Sequence, residues 1–216
     1  MAPIDRNGNR YLINFVDHSS NFVRVFLAKN KIEGTKKFEE FLTFFEKQYN
    51  CRVHVLRTDG GGEYKNVEEL CRVTGVRRQV SEANNQASNG KAERMHRTIL
   101  NMARCMLFAS SLSLKFWGHA VEYAAYVLNR SPTSANPKRQ SPLAMLTGKP
   151  ADLTSVRAVH GVAQQARVVH QADTRATVQN PDIVLAGAAK LRPTNGQRHL
   201  PVARARSTRA VPLQVP

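Results

Sequence analysis

All fifteen aromatic side chains of this 216-residue chain, nine Phe, five Tyr and one Trp, lie before residue 151. Residues 151–216 also lack Met, Cys and Glu and hold a single Lys. Large apolar groups supply most of the burial that offsets the entropy of ordering a chain, so a core can be built only from residues 1–150. A unit of ~150 residues can bury about two-thirds of its unfolded surface, which is enough for one real core. The composition therefore predicts a folding unit at 1–150 and a disordered tail at 151–216.

Within 1–150 the hydrophobic pattern alternates between two periods. Tyr11–Asp17 and residues 22–27 are β-branched and aromatic, and the short polar stretch between them suits a hairpin turn, so two antiparallel strands are expected. Phe38, Phe41, Leu42, Phe45 and Tyr49 recur at helical spacing after Gly34-Thr35, which predicts a helix packed on the sheet. Residues 53–56 read as a short strand that stops at Asp59 and three glycines. Val67–Thr74 reads as a helix ended by Gly75, residues 76–80 as another strand, and residues 90–109 and 114–129 as helices. Residues 81–88 are polar and aperiodic and read as a loop. A mixed sheet flanked by helices, an α/β fold, follows from this order.

The net charge of +16 is spread over both parts. Residues 1–150 carry 23 Lys and Arg against 13 Asp and Glu, and residues 151–216 carry 9 against 3, or +10 and +6. Such an excess suits a polyanion, because Lys and Arg that neutralise phosphates release condensed counterions. A merely solubilising surface is the other reading. No run of about 18 apolar residues and no leader pattern is present, so neither a membrane span nor a secretion signal is expected, and an intracellular setting is. Cys51, Cys71 and Cys105 lie far apart with no histidine at metal-ligand spacing, which argues against structural zinc and for reduced, mostly buried thiols.

Two blocks carry chemistry: Arg57-Thr58-Asp59-Gly60-Gly61-Gly62-Glu63-Tyr64 and Asn89-Gly90-Lys91-Ala92-Glu93-Arg94-Met95-His96-Arg97-Thr98. An acidic residue at a strand end followed by one near the start of a basic helix is a common way to build a two-metal phosphoryl-transfer site. Hard ions such as Mg²⁺ or Mn²⁺ take carboxylates and water rather than His or Cys, so Asp59 and Glu93 are the candidate catalytic residues and metal ligands. At 100° per residue, Ala92, Met95, Ile99, Met102, Ala103 and Met106 fall within roughly 100° of arc and form a core-facing stripe. Glu93, Arg97 and Arg104 fall together on another part of the wheel. A solvent-facing Glu93–Arg97 ion pair is the plain alternative for that face. If Asn89-Gly90 opens the helix, its backbone N–H groups can meet a phosphate. Asn89, Lys91, Arg94, Arg97 and Arg104 are then the candidate DNA contacts, giving attraction to phosphate without base readout. Asp17 reads as a residue that stabilises a turn, Trp117 with Phe116 and Tyr123 as helix-packing core, and the seven histidines show no ligand spacing.

These blocks, taken with residues 11–20, Phe116-Trp117, Leu128-Asn129-Arg130-Ser131-Pro132 and Ser141-Pro142-Leu143-Ala144-Met145-Leu146-Thr147-Gly148-Lys149-Pro150, resemble the integrase catalytic core of Ty1/copia-type retrotransposons. The match runs in one order from roughly residue 8 to residue 153. The resemblance implies a ribonuclease H-like fold and an activity of 3′-end processing and strand transfer at a site using Mg²⁺ or Mn²⁺. It implies DNA partners, namely retroelement ends and target DNA read with little sequence preference, and a homo-oligomer acting in the nucleus. It also implies that the basic residue one turn after the catalytic Glu, here Arg97, touches DNA.

Three departures from the family bear on activity. Its triad is Asp, Asp, Glu, and the first Asp lies on an opening strand just before the segment with which this chain begins; Asp5 and Asp17 are the nearest carboxylates and neither matches. The first strand is therefore expected to be missing from the sheet, and activity absent or very weak. Between Asp59 and Glu93 stand 33 residues, two short of the family spacing, a difference expected to trim the connector near residues 65–67. After about residue 157 the chain turns to Val, Ala, Arg, Gln and Pro, as a reading-frame change or a natural basic tail would produce. The rival to an integrase core is a non-enzymatic basic nucleic-acid-binding remnant; a ribonuclease H-type nuclease fits the blocks around Glu93 and Ser141 less well.

Overall fold

Tyr11–Asp17 forms strand β1 and Val23–Ala28 forms β2, paired antiparallel from Tyr11 opposite Ala28 to Val16 opposite Val23. In this computed structural model residues 4–58, 66–80, 86–156 and 182–190 are described, the backbone alone over 86–89 and 182–190. Helix α1 spans Gly34–Tyr49, and Asn50 ends it in the left-handed conformation (φ 48°). Strand β3, Val55–Thr58, is followed by α2, Val67–Thr74, which ends at Gly75 (φ 74°), where the missing Cβ permits the positive φ. Strand β4 is Arg77–Val80, α3 is Gln86–Ala109 and α4 is Trp117–Arg130. Helix α5, Pro142–Thr147, is capped by Ser141, whose hydroxyl accepts from the Ala144 N–H at 3.2 Å.

Side chains alternate across β1, and the alternation sets the layers. Ile13 and Phe15 join Phe38, Phe41, Phe45 and Tyr49 of α1 in one core, where Phe15 stacks on Phe41 with ring centroids 4.6 Å apart. Leu12 and Val16 face the other way, into a second core with Ala92, Ile99 and Ala103 of α3 and Trp117, Val121 and Ala124 of α4. Trp117 is therefore helix-packing core, as the sequence reading had it. The third residue on that face is Asn14, a fully buried polar group between two apolar neighbours.

A fifth strand, β5, Asp182–Lys190, completes the sheet, in a segment to which the sequence reading assigned no element. The order is β2-β1-β5-β3-β4. β5 runs antiparallel to β1, with Asn14 opposite Ala186 and Phe15 opposite Leu185, and parallel to β3, with Val55 opposite Asp182 and Arg57 opposite Val184. β3 and β4 are parallel. The mixed sheet between helices is the expected α/β architecture; its central position is held by a strand from late in the chain. The rest of the expected tail, 157–181 and 191–216, lies outside the described residues, as do 59–65 and the loop residues 81–85.

The block around Asn129 ties α4 to the edge of this sheet. Its side chain accepts from the Val23 N–H at 2.8 Å and donates to the Val23 carbonyl at 2.7 Å, satisfying both backbone groups of an edge strand. Asn136 in turn donates to the Ser20 carbonyl at 2.9 Å, and the Arg130 guanidinium lies 3.6 Å from the centroid of the Tyr126 ring.

Candidate functional site

Strand β3 ends at the buried Thr58, and Asp59 follows it at once in sequence. Asp59 itself, with the three glycines, lies outside the described residues. Glu93 is on α3, exposed, as are Arg94 and Arg97. Among the described residues no ion pair joins Glu93 to Arg97, so the plain salt-bridge reading of this face is not what these side chains do.

The helix start corrects one sequence expectation. α3 begins at Gln86, four residues before the predicted 90, because helical geometry continues back through Ser88 and Asn89. Gly90 therefore lies inside the helix, beyond the first four N–H groups that a helix leaves free, and Asn89-Gly90 is not the helix opening. The Asn89 side chain lies outside the described residues.

The basic candidates separate into two kinds. Arg94 and Arg97 are free to reach solvent, while Arg104 is half-buried and donates to Asn101 Oδ1 at 3.0 Å. Lys91 is half-buried and its ammonium donates to the His18 carbonyl in the β1–β2 turn. Burial holds its amine below the ordinary lysine value, with Arg94 acting the same way and the charge of Asp17 opposing. Lys91 is a tie between α3 and the hairpin as much as a surface cation.

Asp17 stabilises a turn, as expected. Its carboxylate accepts from the backbone of Ser20 at 2.8 Å and of Ser19 at 3.4 Å, and from the Ser20 hydroxyl. Burial pushes its carboxyl up from the usual value, against the pull of these hydrogen bonds and of Lys91. Asp5 is also committed to its own loop, accepting from Asn7 N at 2.8 Å, Asn9 N at 2.7 Å and Asn9 Nδ2 at 2.8 Å.

The sequence reading missed one polar contact. His96, three residues after Glu93, is buried, and its Nδ1 lies 2.6 Å from Asn14 Oδ1 on β1. Burial drives its pKa down to about 4, so the imidazole is neutral near pH 7. Among the described residues, Asn14 Nδ2 and His96 Nε2 have no hydrogen-bond partner. The signal was present: His96 falls on the same arc of α3 as Ala92 and Ile99, and Asn14 on the same face of β1 as Leu12 and Val16. Of the thiols, Cys71 is buried, Cys51 half-buried and Cys105 exposed, so the expectation of mostly buried cysteines fails at Cys105.

Oxygen ligands suit Mg²⁺ or Mn²⁺, and Glu93 offers one. Among the described residues no group of three His, Cys, Asp or Glu side chains that could hold an ion is formed. The described residues alone do not fit a divalent ion.

Over 128 residues the chain is 38% identical to the retrovirus-related Pol polyprotein from transposon TNT 1-94 of Nicotiana tabacum, a match covering 58% of this chain and 10% of that protein. With the Pol polyprotein from transposon RE2 of Arabidopsis thaliana it shares 29% over 148 residues, 68% of this chain and 10% of that protein. Each of these relatives is a retrovirus-related Pol polyprotein from a plant transposon. The chain spans about a tenth of the length of these relatives. No family model matches it. Among solved structures it is similar to a chain of the simian T-cell lymphotropic virus intasome in complex with PP2A regulatory subunit B56 gamma, with a TM-score of 0.53 at 17% identity, covering 73% of this chain and 57% of that one. The likeness to the intasome chain is one of fold, a mixed sheet flanked by helices.

Proposed function

We propose that this retrotransposon-derived core engages DNA through α3, where the guanidinium groups of Arg94 and Arg97, which follow Glu93, meet the phosphate backbone. The carrying observation is the exposure of Glu93, Arg94 and Arg97 on one helix with no ion pair between Glu93 and Arg97. A carboxylate left free among cations is placed to hold a metal ion beside a bound phosphate, whereas a structural salt bridge would have consumed it. The homology supports DNA integration at the level of the family.

The finer reading is polynucleotidyl transfer: 3′-end processing and strand transfer of retroelement DNA, with Asp59 and Glu93 as the ligands of Mg²⁺ or Mn²⁺. Among the described residues no third carboxylate joins Glu93, because Asp5 and Asp17 are each held in their own turns, and on that ground we read the chemistry as impaired. Contacts by Arg94, Arg97 and Arg104 to phosphate give little sequence preference. A homo-oligomer acting on paired ends in the nucleus belongs to the same proposal. A basic DNA-binding remnant in which Glu93 is a bystander is the second reading, favoured by the incomplete set of ligands among the described residues.

The test measures duplex binding against salt and Mn²⁺-dependent nicking on the same preparation. Binding that weakens steeply with salt and loses about one unit of salt slope for Arg97→Ala is expected. Mn²⁺ strengthening DNA binding in the wild type but not in Glu93→Gln supports the metal reading. Identical Mn²⁺ response in both proteins leaves the remnant reading standing and overturns the metal role of Glu93.

A further inference from the structure

Strand alternation puts two basic side chains on the half of the sheet that α3 does not pack over. Leu56 of β3 lies in the core under α1, so its neighbours Val55 and Arg57 project to the opposite face. Pairing across β5 agrees. Leu56 and Asp17 both pair with Ile183, whereas Arg57 and Val16 both pair with Val184, and Val16 belongs to the core that α3 closes. On β4, Arg77 pairs with Val55 and Gln79 with Arg57, and Arg57 Nε donates to Gln79 Oε1 at 2.9 Å. Arg77 and Gln79 therefore share the face of Arg57, while Arg78 points the other way and donates to Glu68 Oε2 at 2.9 Å. Arg77 is exposed and Arg57 half-buried. No carboxylate stands among Val55, Arg57, Arg77 and Gln79.

Helix α3 stands as a wall beside this floor. It packs over β1 and β5, and α4 packs beside it and against β2. Lys91 donates to the His18 carbonyl in the β1–β2 turn, which fixes the side of α3 that faces β2. At 100° per residue, Glu93, Arg97 and Arg104 stand roughly 120–160° around the helix from Lys91, on the side toward β3 and β4. Floor and wall together turn Arg57, Arg77, Arg97 and Arg104 toward one groove, with Glu93 the one carboxylate among these side chains. Among the described residues Arg77 and Arg97 enter no ion pair.

We infer that the β3–β4 face is the floor of a DNA groove walled by α3, and that Arg57 and Arg77 bind phosphates of the strand laid along it. Guanidinium groups fit phosphate oxygens with paired N–H donors, and an exposed cation with no carboxylate beside it keeps its full attraction for a polyanion. Gln79 accepts from Arg57 and so holds one guanidinium in place before the strand arrives, which lowers the ordering cost of binding. Contacts of this kind fix the path of the backbone and read no bases. The wall rests on the reading of α3 as a DNA-engaging helix given above; the floor follows from strand register alone.

Binding of the full chain to a mixed-sequence DNA duplex, followed by fluorescence anisotropy across a salt series, tests the groove. Every variant is first checked by circular dichroism. Arg77→Ala is expected to weaken binding several-fold and to lower the salt slope by about one unit, and Arg57→Gln with Arg77→Ala by about two. Arg57→Lys keeps the charge and is expected to keep the slope. Lys36→Ala with Lys47→Ala removes two charges from the exposed surface of α1, across the sheet from the groove, and is expected to leave the slope near wild type. An equal loss of slope in that α1 control reduces the effect to overall charge and overturns the groove. If Arg57→Gln fails to fold, Arg77→Ala, exposed and outside any ion pair, still decides. Wild-type binding by the Arg77 variant beside weakened binding by Arg97→Ala overturns the floor and leaves the α3 reading standing. Weakened binding by the Arg77 variant beside unchanged binding by Arg97→Ala sustains the floor and removes the α3 reading, so the two failures are distinguishable.

Discussion

Lowering the pH should destabilise this protein through His96 before most of its carboxylates are protonated. The imidazole is buried against Asn14, and burial moves its pKa from 6.5 to about 4 in the folded state. A depressed histidine contributes stability that is complete above the unfolded value of 6.5 and is lost as pH falls toward 4, because only the unfolded chain takes up the proton in that window. The full difference corresponds to roughly 3 kcal/mol, and about 2 kcal/mol of it is gone by pH 5. Against a domain stability of about 5–15 kcal/mol this is a large fraction. Asp17 works with the opposite sign: its raised carboxyl value favours the fold below 3.8 and loses that contribution as pH rises through the folded value. The difference between wild type and His96→Gln isolates the histidine, since Gln keeps a donor for Asn14 Oδ1 and does not titrate. Urea unfolding followed by circular dichroism between pH 7 and pH 4.5 should give a shallower pH dependence for His96→Gln by about 2 kcal/mol at pH 5. Parallel pH profiles for the two proteins would refute the reasoning, as would a His96 resonance titrating near 6.5.

Asn129→Ala leaves the Val23 N–H and carbonyl unpaired on a buried edge and should destabilise by about 2–4 kcal/mol in urea unfolding, with β2 the first strand to exchange its amides. Arg97→Ala should weaken DNA binding and lower the salt slope with little change in stability, whereas Lys91→Ala should lower the unfolding temperature by breaking the tie to His18; the reverse pattern would reassign both residues. A thiol reagent at pH 8 should modify Cys105 quickly and leave Cys51 and Cys71 slow. Burial raises those two to about 12 and about 11, and equal rates for all three would contradict that placement.

Much of this architecture is written in short-range pattern. Strand β1 falls at Tyr11–Asp17 as its alternation predicts, and α1 buries the Phe38, Phe41, Leu42, Phe45 and Tyr49 face that its spacing marks. Boundaries are less legible: β3 is Val55–Thr58 rather than 53–56, because pairing with β4 and β5 sets its ends. The start of α3 was misplaced by four residues, since Ser88 and Asn89 read as loop or cap by local propensity and are overridden in the folded helix. β5 was not legible at all. Ile183, Val184 and Leu185 are a run of only three apolar residues, followed by Ala, Gly, Ala and Ala, which have little strand preference. What makes this segment a strand is the pair of open edges on β1 and β3, far away in sequence. The Asn14–His96 pair escaped for a related reason: each residue is unremarkable in its own element, and the chemistry exists only where the two elements meet. Of the residues the helix wheel groups with Glu93, Arg97 is exposed beside it and Arg104 is half-buried, while Asp59 lies outside the described residues.

The most direct test of the account is duplex binding and Mn²⁺-dependent nicking of a retroelement-end duplex by the wild-type chain beside Glu93→Gln and Asp59→Asn. The account predicts that wild type binds the duplex, with a steep loss of binding as salt rises, but nicks no faster than Glu93→Gln. Nicking by the wild type that Asp59→Asn and Glu93→Gln abolish would contradict it, because the metal site would then be complete in this chain.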